Sequence, residues 1–373
     1  MLFRSYTRDD LAIAYTPGVA RPCEVIASDV SMARELTIKR NSVAVVSDGS
    51  AVLGLGNIGP YGAIPVMEGK ALLFKEFANI DAWPICLDTQ KADEIIETVR
   101  RIAPVFGGIN LEDISAPRCF EIETSLQDLG IPVFHDDQHG TAIVLLAAMI
   151  NATRLLEREL TDLRVVINGA GAAGTAIARL LRCVGHDPNI CVPVNDIVVC
   201  DSRGAIHRGR DDLSSYKKEL LGYTNRENRS GSLQDVLRGA DAFIGVSKGN
   251  LLSGDDVRSM AKNSIVLAMA NPIPEIMPDV AKEAGAAVVG TGRSDFPNQV
   301  NNVLVFPGIF RGALDSGATR IDEHMKIAAA YALANSVDQL HPDRILPDPL
   351  DRLVAHKVAA AVQLAHTQSL AMR

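Results

Sequence analysis

Apolar and polar positions divide the chain into short apolar runs and longer stretches with helical periodicity. In the first part, residues 42–46, 85–88, 107–111 and 132–134 read as strands ending near polar residues. Residues 51–55 read as one more, joined to 42–46 by the turn sequence Ser47-Asp48-Gly49-Ser50. Residues 67–78 carry a helical pattern with Lys70 near its start and Lys75 on its solvated side. The longest apolar run, 142–150, is too short to span a bilayer and reads as a buried helix extending to Leu156. Beyond it, strands at 163–167, 197–200, 242–246, 264–270 and 286–290 alternate with helices, the pattern of a doubly wound parallel sheet. An Ala-rich helical tail covers 321–372. The expected fold is α/β in two domains, an N-terminal α/β substrate domain at 1–137 and a Rossmann-type nucleotide-binding domain at 138–373. The tail from about 305 is expected to pack back on the first domain.

Composition adds little to this picture but excludes much. With 373 residues, 47% apolar and 22% charged, the chain is an ordinary globular sequence with room for two cores. A net charge of −8 argues against a nucleic-acid partner. No apolar leader precedes Thr7, so neither a signal peptide nor a membrane partner is expected, and the location is read as cytoplasmic. Cys23, Cys86, Cys119, Cys183, Cys191 and Cys200 form no C-x-x-C pair and read as reduced, incidental thiols.

The most informative stretch is 163–181. A strand runs into Gly169-Ala170-Gly171-Ala172-Ala173-Gly174 and then a helix. Glycine at the first position permits the tight turn, at the second the approach of a pyrophosphate, and at the third close helix–strand packing. The helix that starts at Thr175 offers free N–H groups to the phosphates, and Ala172 and Ala173 of the turn count among the cofactor-binding residues. Asp201 ends the next strand, positioned to accept from a ribose hydroxyl, and the loop 186–195 absorbs the long spacing. Asp201 favours NAD, whereas Ser202 and Arg203 suit the 2′-phosphate of NADP; NAD is the preferred reading. Ser247 and Asn271 follow later strands and fall on the ligand crevice. A second G-x-G-x-x-G at Gly54, Gly56 and Gly59 reads as a close-packed turn, because Pro60 and Gly62 interrupt the helix that should follow.

Catalytic chemistry falls on the first half. His135 and His139 are spaced like zinc ligands, but H-D-D-Q-H lacks the glutamate of H-E-x-x-H. Glu112-Asp113 and Asp136-Asp137 both follow strands and can converge in one cleft. Such oxygens suit Mg²⁺ or Mn²⁺, or else they are solvated acids and helix caps. Lys70 at a helix start would have its ammonium disfavoured and act as a base near neutral pH, or it is a solvated lysine. Tyr15, before Thr16-Pro17-Gly18, is a packing residue or a proton donor.

In order along the chain stand Tyr15-Thr16-Pro17, Ser47-Asp48-Gly49 with Leu53-Gly54-Leu55-Gly56, Gly69-Lys70 and Leu111-Glu112-Asp113. Asp136-Asp137-Gln138-His139-Gly140-Thr141, Asn271-Pro272 and Asn301-Asn302-Val303 with Phe306-Pro307-Gly308 follow. Together they resemble the malic enzyme family in its short prokaryotic form. The resemblance implies oxidative decarboxylation of L-malate to pyruvate with NAD or NADP and a divalent metal. It makes Lys70 the general base and Tyr15 the general acid, and Glu112, Asp113 and Asp137 the metal ligands. Asn271 and Asn302 become substrate contacts, and Asp136 an acid beside Lys70. A homodimer is expected, although the helices that precede Tyr15 in relatives are missing or shortened. Ala51 stands where larger members carry an arginine for the substrate carboxylate, so Arg293 or Asn302 is expected to compensate. The alternatives are a malolactic-type decarboxylase releasing lactate, a metal-free methylenetetrahydrofolate-type dehydrogenase and a catalytically silent nucleotide sensor.

Overall fold

A computed structural model describes residues 7–52 and 54–371. The chain opens with three short helices, α1 (Arg8–Ala14), α2 (Ala20–Ser28) and α3 (Met32–Leu36). Then β1 (Ser42–Ser47), α4 (Gly59–Ala78), β2 (Asp81–Cys86), α5 (Ala92–Ile102), β3 (Gly108–Leu111), α6 (Arg118–Ser125) and β4 (Val133–His135) build the first sheet. Its order is β2-β1-β3-β4, all parallel. The long helix α7 (Asp136–Leu155) leaves β4 directly and leads to the second sheet.

The second sheet is assembled from β5 (Arg164–Asn168), α8 (Ala172–Leu181), β6 (Asp196–Asp201), β7 (Gly204–Ala205), α9 (Ser215–Leu220), α10 (Leu233–Leu237), β8 (Ala242–Gly245), α11 (Gly254–Ser259), β9 (Ile265–Ala268), α12 (Pro278–Glu283) and β10 (Val288–Thr291). Its order is β10-β9-β8-β5-β6-β7, parallel except for β7. The chain then forms α13 (Phe306–Ser316), α14 (Glu323–Ala334) and α15 (Arg352–Ala371). The direction of strand addition reverses beside β1 in the first sheet and beside β5 in the second, and crevices for ligands open at such points.

One apolar core runs through both sheets, because α7 is apolar nearly all round and must be covered everywhere. α8 and β4 cover it from the two sheets and α14 from the tail, and residues of β1, β5 and α13 share the same core. Phe306 and Phe310 of α13 meet Phe74 of α4 edge-on, with centroids 4.8 and 5.4 Å apart, and Phe310 meets Phe134 at 5.9 Å.

Several expectations change. Residues 51–55 form no strand; Val52 and Gly56 share an isolated bridge, and Leu53 lies outside the described residues. The glycine turn there packs on the second domain, where a Cβ at Gly54 would meet the Asn271 carbonyl oxygen at 2.6 Å. The helix carrying Lys70 begins at Gly59, not near Met67. Pro60 falls in its first turn, where no N–H is needed, and Pro65 is carried inside it. The helical tail expected at 321–372 is formed by two helices, α14 and α15, with turns between them. Cys183 and Cys191 are joined in a disulfide that closes the loop after α8, so not all six thiols are free.

Phe310 is fully buried at the joint between the tail and the first sheet. Phe310→Ala is expected to cost about 3–5 kcal/mol and to lower Tm clearly, whereas Leu364→Ala, exposed on α15, leaves Tm unchanged. Calorimetry of the two variants checks this; equal small effects would mean that the joint contributes little.

Candidate active site

The carboxyl ends of β1, β3 and β4 and the middle of α4 bring one lysine and four acids together. Lys70 is 7% exposed; its Nζ lies 2.8 Å from Glu112 Oε1, donates to Asp136 Oδ2 and sits 4.1 Å from the Phe306 ring centroid. Burial works to lower its pKa, but Asp136 and Glu112 outweigh burial and hold it above the ordinary lysine value. The expectation of a lysine with a disfavoured ammonium therefore fails. The cause is position: Lys70 is mid-helix and between two carboxylates, not at a positive helix end.

Glu112 and Asp113 follow β3, and Asp136 and Asp137 open α7. Acids suit that helix end, although the dipole contributes only about 0.3–1 kcal/mol. Gly140 makes room for the Asp136 carboxylate one turn away, since a Cβ there would fall 1.8 Å from its Oδ1 and 3.2 Å from the Cβ of Asn302. Asn302 is thereby brought to the same corner. Asp113 adopts a left-handed conformation (φ 54°), and its N–H donates to Asp137 Oδ2 at 2.8 Å. Asn110 Nδ2 donates to Glu112 Oε2 at 2.8 Å.

Glu112, Asp113 and Asp137 each place an oxygen within 4.8 Å of the other two. Asp113 Oδ2 is buried without a hydrogen-bond partner. Burial pushes all three pKa values up, to about 7 for Glu112, 9 for Asp113 and 6 for Asp137. Mutual repulsion adds to this, while Lys70 opposes it. A compact set of hard oxygens that resists losing its protons fits Mg²⁺ or Mn²⁺, which would replace them.

Behind this corner, Glu123 of α6 binds the β4–α7 turn. Its Oε1 accepts from the His135 N–H at 3.0 Å, its Oε2 accepts from Gln138 Nε2 at 3.2 Å, and His139 Nε2 lies 2.9 Å from Oε1. Burial alone would raise its pKa, but His139 brings it down to about 2. The His135 ring is fully buried, and neither nitrogen has a partner. His135 and His139 thus do not converge on a metal. Sequence reasoning missed Glu123, which belongs to no motif and meets its partners only through the fold.

The second sheet supplies the dinucleotide-binding features. Gly169 has φ +125°, and a Cβ at Gly174 would lie 1.7 Å from the Gly169 carbonyl oxygen, so both positions require glycine. Gly171 is the N-cap of α8, and Ala172 and Ala173 form its first turn. Ser247 Oγ accepts from Asn168 Nδ2 at 2.7 Å at the mouth of β5 and β8. Asn271 lies against the Gly54 turn and, through its amide, Gly292. Asp201 stands at the end of β6, but it is engaged by the Arg203 N–H (2.9 Å), Arg210 (2.8 and 3.1 Å) and Lys217 (2.7 Å). Arg203 extends into solvent beside Ser202 and pairs with Asp212. Arg293 pairs with Asp295 at 2.6 Å, so it is not a free carboxylate anchor. Tyr15 is 67% exposed and is the C-cap of α1.

This combination has matches over nearly the whole chain. Residues 1–127 match the malic enzyme N-terminal domain, and residues 138–368 match the malic enzyme NAD binding domain. The chain belongs to the malic enzyme family. It is 57% identical over 360 residues to the bifunctional malic/malolactic enzyme of Bacillus subtilis, covering 95% of this chain and 86% of that one. It is also 57% identical over 359 residues to an NAD-dependent malic enzyme of Geobacillus stearothermophilus, covering 95% and 73%. The crystal structure of an NAD-dependent malic enzyme from Thermotoga maritima superposes with a TM-score of 0.92 at 47% identity, over 97% of this chain and 94% of that one. No helix among the described residues is long and apolar enough to cross a membrane.

The three-carboxylate cluster gives this malic enzyme a pH-dependent stability. Glu112, Asp113 and Asp137 have folded pKa values raised above 4.5, 3.8 and 3.8, so the folded state binds more protons than the unfolded chain. Their contribution is full below about pH 4 and is lost as pH rises through the folded values, between about 6 and 9. Tm of EDTA-treated protein should therefore fall across that window. Mn²⁺ should reverse most of the fall, and Asp113→Asn should flatten it. A metal-free Tm independent of pH from 6 to 9 would contradict the closed cluster.

Proposed function

We propose that this malic enzyme oxidises and decarboxylates L-malate to pyruvate and CO₂, with NAD or NADP as hydride acceptor and Mg²⁺ or Mn²⁺ as metal. The observation that carries the reading is Lys70 buried against Asp136 and Glu112, beside the three-carboxylate cluster. A divalent cation held by Glu112, Asp113 and Asp137 supplies Lewis-acid polarisation of the substrate's C2 oxygen.

The chain's own residues do the rest. Lys70 exchanges the proton of the C2 hydroxyl. Were Glu112 to hold a cation, the Lys70 ammonium would keep Asp136 as its counter-charge and would give up a proton more readily. Asp136, hydrogen-bonded to Lys70, is the group that takes the proton onward. Asn302 beside Gly140 and Asn271 beside the Gly54 turn orient the substrate carboxylates, with Ala51 leaving no arginine for that purpose. The turn Gly169–Gly174 cradles the pyrophosphate. We put the domain boundary between residues 137 and 138, within the first turn of α7.

We also read the enzyme as a homodimer. Helices α1, α2 and α3 bury no side chain, and Leu11, Ile13, Tyr15 and Val30 expose half or more of their surface. Tyr61 and Leu72 of α4 add further apolar surface that a second copy would cover. Tyr15 serves as the proton donor to C3 once it is shielded from water in that assembly.

Lys70→Ala is expected to lower malate oxidation about 10²–10⁴-fold and to leave NADH binding intact. Assays with NAD and NADP in parallel, with and without EDTA, test the whole reading: metal-dependent, stoichiometric reduced cofactor and pyruvate are expected. Lactate released without net cofactor reduction would overturn it.

Tyr15→Phe should reduce steady-state pyruvate formation more than a single-turnover hydride burst. Equal losses in the two measurements would remove Tyr15 from proton transfer.

A further inference from the structure

Glu123 touches none of the groups assigned to the reaction, yet three donors meet at its carboxylate. The His135 N–H, the Gln138 amide and the His139 ring converge on it at 3.0, 3.2 and 2.9 Å. Those residues bracket Asp136 and Asp137. One carboxylate from α6 therefore grips the last residue of β4 and the first turn of α7 on both sides of the two acids.

The other restraints on the corner are the pairing of His135 with Leu111 of β3, the Lys70–Asp136 bond and the Asp113 N–H on Asp137. His135 is the N-cap of α7 and makes no side-chain capping bond, so this helix start lacks the usual local fixation. The His135 ring is 3.8 Å from Asp137 Oδ2, beyond a hydrogen bond, and its nitrogens have no partners. On the outer side, Glu123, Gln138 and His139 border a cavity of about 780 Å³ instead of close-packed protein. Asp137 is aimed at its neighbours by one backbone donor, the Asp113 N–H. Rotation of the turn would move Asp137 away from Asp113 and Asp136 away from Lys70.

We infer that Glu123 is a positioning residue, which ties the β4–α7 turn to the neighbouring helix and thereby sets the geometry of the metal-ligating carboxylates. An anion at a helix N-terminus is favoured by the exposed N–H groups, and here it is held by three directed bonds. The inference rests on the reading of Glu112, Asp113 and Asp137 as the metal centre.

The test is Mn²⁺ titration by calorimetry on the full-length protein, alongside kcat, the apparent Mn²⁺ constant and NADH affinity. Glu123→Ala should weaken Mn²⁺ about 10–100-fold, raise the apparent Mn²⁺ constant, and regain most of kcat at saturating Mn²⁺. NADH affinity should stay at the wild-type value, a combination that general loss of structure would not produce. Glu123→Gln, which keeps the shape and one acceptor, should fall between wild type and Glu123→Ala and serves if the alanine variant does not fold. Glu121→Ala, exposed on the same helix, should behave as wild type. Asp137→Asn separates the two readings. Wild-type Mn²⁺ affinity in Asp137→Asn would remove the metal centre and this inference with it. Loss in Asp137→Asn with affinity kept in both Glu123 variants would overturn the positioning role alone.

Discussion

Burial of uncompensated negative charge is the constraint around which the first domain is arranged. Glu112, Asp113, Asp136 and Asp137 face one ammonium, Lys70, so full ionisation leaves four minus one, or three, negative charges in a largely closed space. Removing each ion from water costs several kcal/mol, far more than a helix dipole of about 0.3–1 kcal/mol returns. Either protons or a cation must make up the difference. That is why the carboxyl pKa values rise, and why the same residues form a good site for a hard divalent ion.

The rest of the fold follows from holding those charges still. α7 carries two of the acids, and it is so apolar beyond its first turn that it must be buried by both sheets and the tail. The helix that places Asp136 and Asp137 is thus also the joint between domains. α13 contributes the Phe306 ring beside Lys70 and the Phe310 ring against β4. Packing of the tail and shielding of the lysine therefore share one helix.

Much of this was legible because strands and acids kept their sequence neighbours. Apolar runs gave the parallel strands of both sheets, and adjacent acids after two strands gave the carboxylate cluster, since sheet order brings successive strand ends together. What was not legible depended on distant partners. Lys70 was misplaced because Pro60 and Gly62 look like breakers, whereas proline in a first helical turn leaves no bond unmade. Its charge state followed from Asp136, 66 positions away. The Cys183–Cys191 bridge arises because the chain doubles back after α8, which cysteine spacing alone does not reveal. The two-residue strand β7 is too short to have a period, and Glu123 acts across 12 to 16 positions without any motif.

The cofactor end shows how a local rule is overridden by its surroundings. An acid at the end of the second Rossmann strand ordinarily accepts from the ribose and repels a 2′-phosphate. Asp201 stands at that position, but a carboxylate has about four acceptor sites, and four directed contacts already reach it. One Oδ takes the Arg203 N–H and an Arg210 nitrogen; the other takes the second Arg210 nitrogen and Lys217. Burial pushes its pKa up, yet these donors hold it near 2, so the group stays ionised with its charge spent on neighbours. An acid so occupied offers a ribose hydroxyl little and repels a phosphate weakly. The position of Asp201 alone therefore does not set a preference for NAD. It depends on whether Arg210 and Lys217 stay with Asp201 or turn to the dinucleotide, and Arg210 is additionally tied to Asp212 at 2.6 Å, which leaves Lys217 the less restrained of the two cations.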